Sequence, residues 1–142
     1  HGYMGDMSRV FSIGKLSEKA YAAHQVCLDI QNEVASMAKP GAVCEDLYNT
    51  AIDMVTKAGF AENFMGISQQ ARFIGHGIGL EINEMPVIAP RMKQELEPGM
   101  VFALEPKIVL PGVGPVGIEN SWAVTSEGLE KLTICNEEII EL

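Results

Sequence analysis

A change of character near residue 60 is what most constrains the fold of this chain. Before it, apolar residues recur at helical spacing. Leu16, Ala20, Ala23, Cys27, Ile30, Val34 and Met37 fall three or four apart, which predicts an amphipathic helix from Ser17 to about Ala38. Ser17 is placed to cap its start and Pro40-Gly41 to stop it. Leu47, Ala51, Met54, Val55 and Ala58 predict a second helix from about Cys44 to Lys57, with Gly59 at its end. Beyond that point the pattern becomes β-like. Residues 72–76, 100–110, 115–125 and 129–133 carry Val, Ile, Phe and Trp and are punctuated by Gly and Pro. Residues 7–13 read as one more strand ahead of the helices, and Pro111-Gly112-Val113-Gly114 reads as a turn between two of the later ones. One strand, two helices and then antiparallel strands is an α+β order, with helices packed against one face of a sheet.

Four polar side chains sit in glycine-bounded or β-like segments that would hold them close to a core. They are Asp6 in GYMGDMSR, His76 in GHGIGLEINE, Glu105 in MVFALEPK and Glu119 in VGIENS. Both glutamates are flanked by apolar residues, so each is expected to be half-buried and to need a partner. Antiparallel pairing about the Pro111–Gly114 turn would bring them across from each other. One imidazole with three carboxylates is an oxygen-rich ligand set that suits divalent Mn, Co, Fe or Zn. Taken singly these signals are weak: a histidine between glycines fits a tight turn, and Gly-Asp at a strand start is common turn chemistry. The run G-H-G-I-G lacks the spacing and helix start of a phosphate loop.

The strings around the four residues add a resemblance. GY-x-x-D-x-S-R, GHGIGLE-x-x-E-x-P, GMVFALEP and GIEN-x-x-x-VT resemble, in order, the motifs of the metallopeptidase family that includes methionine aminopeptidase, aminopeptidase P, prolidase and creatinase. The resemblance runs from Gly2 to about Thr133. It implies the pita-bread fold, here partial, with helices on a curved antiparallel sheet. It implies Asp6, His76, Glu105 and Glu119 as ligands of two divalent ions, Mn or Co with Zn or Fe as alternatives, and Asp6 and Glu119 as the bridging pair. Glu105 and His76 are the implied catalytic residues. Glu105 would move a proton from a metal-bridged water to the leaving nitrogen. The short link between the two glutamate motifs resembles the Xaa-Pro dipeptidases and aminopeptidases, which implies a peptide substrate cut before proline near a free N-terminus.

The chain also departs from the family pattern. The first family ligand, an aspartate, would fall upstream of His1. Residues 1–142 are therefore expected to be the C-terminal portion of a catalytic domain, to hold at most one ion well, and to show little activity alone. Where proline-specific members carry rim histidines, this chain has Arg72 and Asn83, read either as substrate-binding donors or as marks of lost activity. A basic residue usually stands two before the last glutamate, and here it is Gly117. Two alternatives stay open: another amide hydrolase on the same fold, such as a metal-free creatinase-like enzyme, and a non-catalytic binding module.

A net charge of −9 argues against nucleic acid as partner, and part of that acidity belongs to the expected metal ligands. No apolar run reaches the roughly 18 residues of a membrane span. Cys27, Cys44 and Cys135 are odd in number and far apart, which predicts free thiols and a reducing cytoplasm. A sheet edge left bare favours pairing with a second copy, so a homodimer is expected. His24 reads as a packing or surface residue and Trp122 as core.

Overall fold

Ser17 begins the first helix, its hydroxyl accepting from the Ala20 N–H at 3.3 Å. The computed structural model describes residues 1–142, and in it α1 spans Glu18–Met37 and α2 spans Cys44–Lys57. The second helix matches its expected bounds because both ends carry local signals. Glu45 and Asp46 stand in its first turn and Lys57 in its last, as the helix dipole favours. At the far end Gly59, at φ +79°, lets Phe60 N–H reach Val55 O and Gly59 N–H reach Thr56 O, both at 3.0 Å.

The strands are β1 (Phe11–Ser12), β2 (Gly75–Gly77), β3 (Glu84–Ile88), β4 (Val101–Leu104), β5 (Lys107–Leu110), β6 (Gly114–Gly117), β7 (Asn120–Thr125), β8 (Gly128–Lys131) and β9 (Ile140–Glu141). Five form an antiparallel sheet in the order β3-β2-β4-β7-β8. β5 and β6 make a separate antiparallel ribbon, and β1 pairs in parallel with β9. α1 packs on α2 and on the β5–β6 ribbon, while α2 also covers β3. Phe102, Leu104, Ile108, Ile118 and Val124 meet Ile30, Val34, Leu47 and Val55 in one continuous core. Each large side chain fully buried there is worth about 2 kcal/mol.

Several strands differ from expectation. The strand expected over 7–13 is reduced to β1 and a bridge from Ser8 to Glu119. The run at 72–76 becomes β2, displaced to Gly75–Gly77, because the paired residues are those that fit between β3 and β4. The run at 100–110 splits at Glu105–Pro106, where proline offers no N–H to a ladder. β3 and β9 had no sequence signal that stood out. β3 contains Pro86 and is tolerated because it lies at the sheet edge.

α1 buries Ala20, Ala23, Cys27, Ile30 and Val34 as its spacing suggests, and two polar residues with them, His24 and Gln31. His24 is thus a buried residue, its Nε2 lying 2.7 Å from Glu137 O. Trp122 is buried as expected, with the Lys131 ammonium 4.8 Å from its ring centre.

Candidate metal centre

Leu104 pairs with Asn120 and Lys107 with Gly117, so the β4–β7 and β5–β6 ribbons share one register. Glu105 and Glu119 fall on the first of the two rows between those pairs, and Pro106 and Ile118 on the second. The turn at Pro111–Gly114 does bring them across from each other, though each lies at the foot of the ribbon and not inside a strand. Their main chains bond elsewhere. Glu105 N–H donates to Ile74 O at 2.8 Å, and Glu119 exchanges two bonds of 3.3 Å with Ser8. Both side chains are buried, with the residues 7% and 6% exposed.

His76 is the middle residue of β2, paired with Val87 on one side and Ala103 on the other. The flanking glycines are a packing requirement: a Cβ on Gly75 would stand 2.5 Å from Ala103 O, and one on Gly77 would stand 2.2 Å from Met85 O. The His76 Nδ1 lies 3.1 Å from Gly77 O. With the proton on Nδ1 donated there, Nε2 keeps its lone pair free. It stands 3.6 Å from Glu105 Oε1 and 3.9 Å from Asp6 Oδ2. Phe73 sets its ring edge-on to the imidazole, with centroids 6.2 Å apart.

Asp6 is clamped through its backbone. Its N–H donates to Ser121 Oγ at 3.0 Å, and the same hydroxyl donates to Asp6 O at 2.8 Å. Asp6, His76 and Glu119 each place one donor atom within 4.8 Å of the others. Glu105 joins this group through its approach to His76.

Burial pushes the Glu119 carboxyl above its ordinary range; the Ser8 hydroxyl draws it back, and the Glu105 and Asp6 charges push it further up. Ser8 Oγ donates to Glu119 Oε2, and the Lys107 ammonium donates to Glu105 Oε2. Three carboxylates around an imidazole with a free lone pair are thus faced by the single charge of Lys107. Oxygen-rich donors with one nitrogen, short of positive charge, fit a divalent cation.

Behind the centre lies a polar network with no counterpart in the sequence reading. Arg9 donates to Glu119 O, to Asn120 Oδ1 and to Asn136 O. Asn120 donates to Gln31 Oε1 and Glu137 Oε1. Ser8 and Arg9 stand inside the D-x-S-R string and could have been singled out there. Lys107 could have been found by counting outward from the Pro111–Gly114 turn, which sets it opposite Gly117.

The rim residues part company. Asn83 lines a depression of about 420 Å³ together with Phe73, His76, Glu84, Met85 and Val87. Arg72 lines a different depression, against Tyr48, Ile52 and Val55 of α2, because the chain ahead of β2 runs along that helix. The structure therefore brings Asn83 to His76 and leaves Arg72 apart.

An Xaa-Pro dipeptidase of Lactobacillus helveticus is 36% identical to this chain over 138 residues, which is 97% of the chain and 36% of that protein. The structure matches that of an X-Pro aminopeptidase from Thermotoga maritima with a TM-score of 0.90 and 32% identity, covering 99% of this chain and 38% of the other. It matches an Xaa-Pro dipeptidase from Bacillus anthracis with a TM-score of 0.88 and 37% identity, over 99% and 38%. The chain spans little more than a third of the length of these relatives. The α+β, pita-bread expectation is borne out by these likenesses. Residues 1–126 match metallopeptidase family M24, and they include all four residues of the centre. The protein described by these 142 residues belongs to that family.

Proposed function

We propose that these residues form the metal-holding part of a peptidase that cuts the bond before proline near a free N-terminus. The observation that carries this reading is the convergence of Asp6, His76 and Glu119 donors within 4.8 Å, with Glu105 beside them. The names of relatives, Xaa-Pro dipeptidase among them, support the substrate class.

Asp6, His76, Glu105 and Glu119 would hold divalent ions, Mn or Co in preference to Zn or Fe. A bound divalent ion supplies a more acidic water and a polarised scissile carbonyl. The chain's own residues do the rest. The Gly77 carbonyl keeps the His76 proton on Nδ1 and so aims the Nε2 lone pair inward. Glu105 Oε1 faces the centre, where a carboxylate can take a proton from attacking water and return it to the leaving nitrogen. Ser8 fixes Glu119. Phe73, Met85 and Val87 give an apolar wall of the kind a proline ring fills, and the Asn83 amide sits in the same depression as a donor to substrate. The position of Arg72 does not support a matching role for it.

Four protein donors suffice for one well-held ion, so these 142 residues should bind one tightly. In this reading they belong to a larger catalytic domain, as the length of the relatives supports. Three free thiols fit a reducing cytoplasm. No helix is long and apolar enough to cross a membrane. A homodimer belongs to the same proposal, with β3 or β8 as the sheet edge on which a second copy could pair. The presence of Asn83 where a rim histidine is expected favours a second reading, a binding module that keeps the fold without turnover.

The test is to load the full-length natural protein with Mn²⁺ or Co²⁺ and follow cleavage of Xaa-Pro dipeptides, Xaa-Pro-Yaa tripeptides and Met-Ala-Ser. Release ahead of proline, lost in His76→Ala, is expected. Bound metal with no peptide turned over would move the assignment to another amide. No bound metal would favour the binding module.

A further inference from the structure

Position 117, where the family resemblance leads one to expect a basic residue, is closed to side chains. A Cβ on Gly117 would stand 2.5 Å from Pro106 O and 2.8 Å from both Cα and Cβ of Lys107. Two of those three atoms are backbone, so rotating a side chain cannot relieve the clash. Lys107 is the cross-strand partner of Gly117, and its ammonium donates to Glu105 Oε2. The positive charge absent from one strand is thus supplied by the strand facing it. The Lys107 side chain is 37% exposed against 10% for Glu105, so the lysine reaches the buried carboxylate from the solvent side.

The geometry points to Lys107 as a tethered cation that competes with a divalent ion for the Glu105 carboxylate, with Gly117 as the gap that lets its backbone approach. This rests on the metal-holding role of Asp6, His76, Glu105 and Glu119. A centre of three carboxylates repels itself when no ion is bound, and a lysine ammonium is a compact charge on a flexible stem that can move in and out. While Lys107 holds Oε2, an arriving ion must share Glu105 with a positive charge or displace it. Either course weakens binding, whereas the metal-free protein gains a counter-charge. The ion is therefore held less tightly than its four protein ligands alone would hold it, and the metal-free centre does not collapse by self-repulsion.

The experiment uses chelator-stripped full-length protein, Mn²⁺ alone in calorimetric titration, and thermal unfolding without metal. Lys107→Met and Lys107→Gln are expected to bind Mn²⁺ roughly tenfold tighter. Both should melt about 4 °C lower than wild type when metal-free. Lys107→Arg keeps the charge and should keep the wild-type affinity. Lys93→Met removes an equal charge from a pair with Glu45, away from the centre, and should leave the affinity unchanged. If wild type binds Mn²⁺ and the neutral Lys107 variants bind it equally or more weakly, competition is overturned. A tightening that Lys93→Met reproduces overturns it too, since net charge would then be the cause. If wild type binds no Mn²⁺, the metal-holding role itself fails, and this inference with it.

Discussion

Glu105 and Glu119 face each other on the first of the two rows that separate the β4–β7 ladder from the β5–β6 ladder, and exchange no backbone bond there. Their peptide groups are satisfied by Ile74 and Ser8, so neither side chain is needed to hold the strands together. Two carboxylates can therefore be set close in a buried place without weakening the sheet that carries them. The repulsion between them is left for a cation to relieve.

That separation of backbone from side chain makes Glu119→Gln informative. The amide can still accept from Ser8 Oγ, so the variant should fold. Because burial and the neighbouring carboxylates disfavour the Glu119 charge, removing it should raise metal-free stability. Mn²⁺ binding should fall at least a hundredfold, about 3 kcal/mol. Calorimetry showing wild-type stoichiometry and affinity would remove Glu119 from the ligand set.

Asn120 tests the network behind the centre. It is fully buried and joins Arg9, Gln31, Thr133 and Glu137 by four bonds of 2.8 Å. Asn120→Ala leaves the buried Gln31 unpaired and takes one bond each from half-buried Arg9, Thr133 and Glu137, at a cost of about 3 kcal/mol. Urea unfolding should show a lower midpoint with an unchanged slope. A loss below about 0.5 kcal/mol would mean that the partners find each other without it.

Gly117→Ala should destabilise by about 2 kcal/mol, because the new methyl group meets the Pro106–Lys107 backbone. Gly5→Ala is the control, since a Cβ there meets nothing within 4 Å. Thermal unfolding of both variants measures the difference. Equal melting temperatures would show that β5 and β6 can part without penalty.

Cys27 gives the chain a defined response to alkali. Burial pushes its thiol up to about 12 from 9.0. The unfolded thiol loses its proton near 9 while the folded one keeps it, so stability is whole below that point. It then falls by about 1.4 kcal/mol per pH unit on the way to the folded value. Urea midpoints recorded from about pH 8 to 10.5 should drop less steeply in Cys27→Ala than in wild type. A thiol reagent should label exposed Cys135 in the folded protein, with Cys27 and Cys44 reacting only on unfolding.

What could be read from the sequence follows how local each signal is. α2 is legible to the residue because its charges and its glycine stop act within a turn of its ends. His76 and Glu119 stand beside glycines that the packing demands, which makes their strings legible, whereas the glycines ahead of Asp6 border open space. Gly75 and Gly77, for example, are needed for β2 to approach its neighbours. β3 is hidden by Pro86, since only its place at the edge of the finished sheet makes that proline acceptable. Lys107 is hidden for a related reason: its meaning depends on Gly117, a cross-strand partner. Gln31 and His24 sit on the apolar stripe of α1, each with one polar atom partnered by a distant segment: Gln31 Oε1 accepts from Asn120, and His24 Nε2 meets Glu137 O.

The parallel pairing of β1 with β9 has a consequence in time. Phe11 and Ser12 take their partners from Ile140 and Glu141, and Arg9 reaches Asn136 as well as Glu119. The segment bearing Asp6 and Ser8 is thus fastened by residues more than a hundred positions further along, from Glu119 and Ser121 to Glu141. Closing so long a loop comes late in folding. Glu105 and Glu119 can be presented by their hairpin well before Asp6 is locked beside them. An ion that needs Asp6 as well as Glu119 would therefore find its site only after the Asp6 segment has docked on Glu119 and Ser121, a contact that the β1–β9 pairing then fastens.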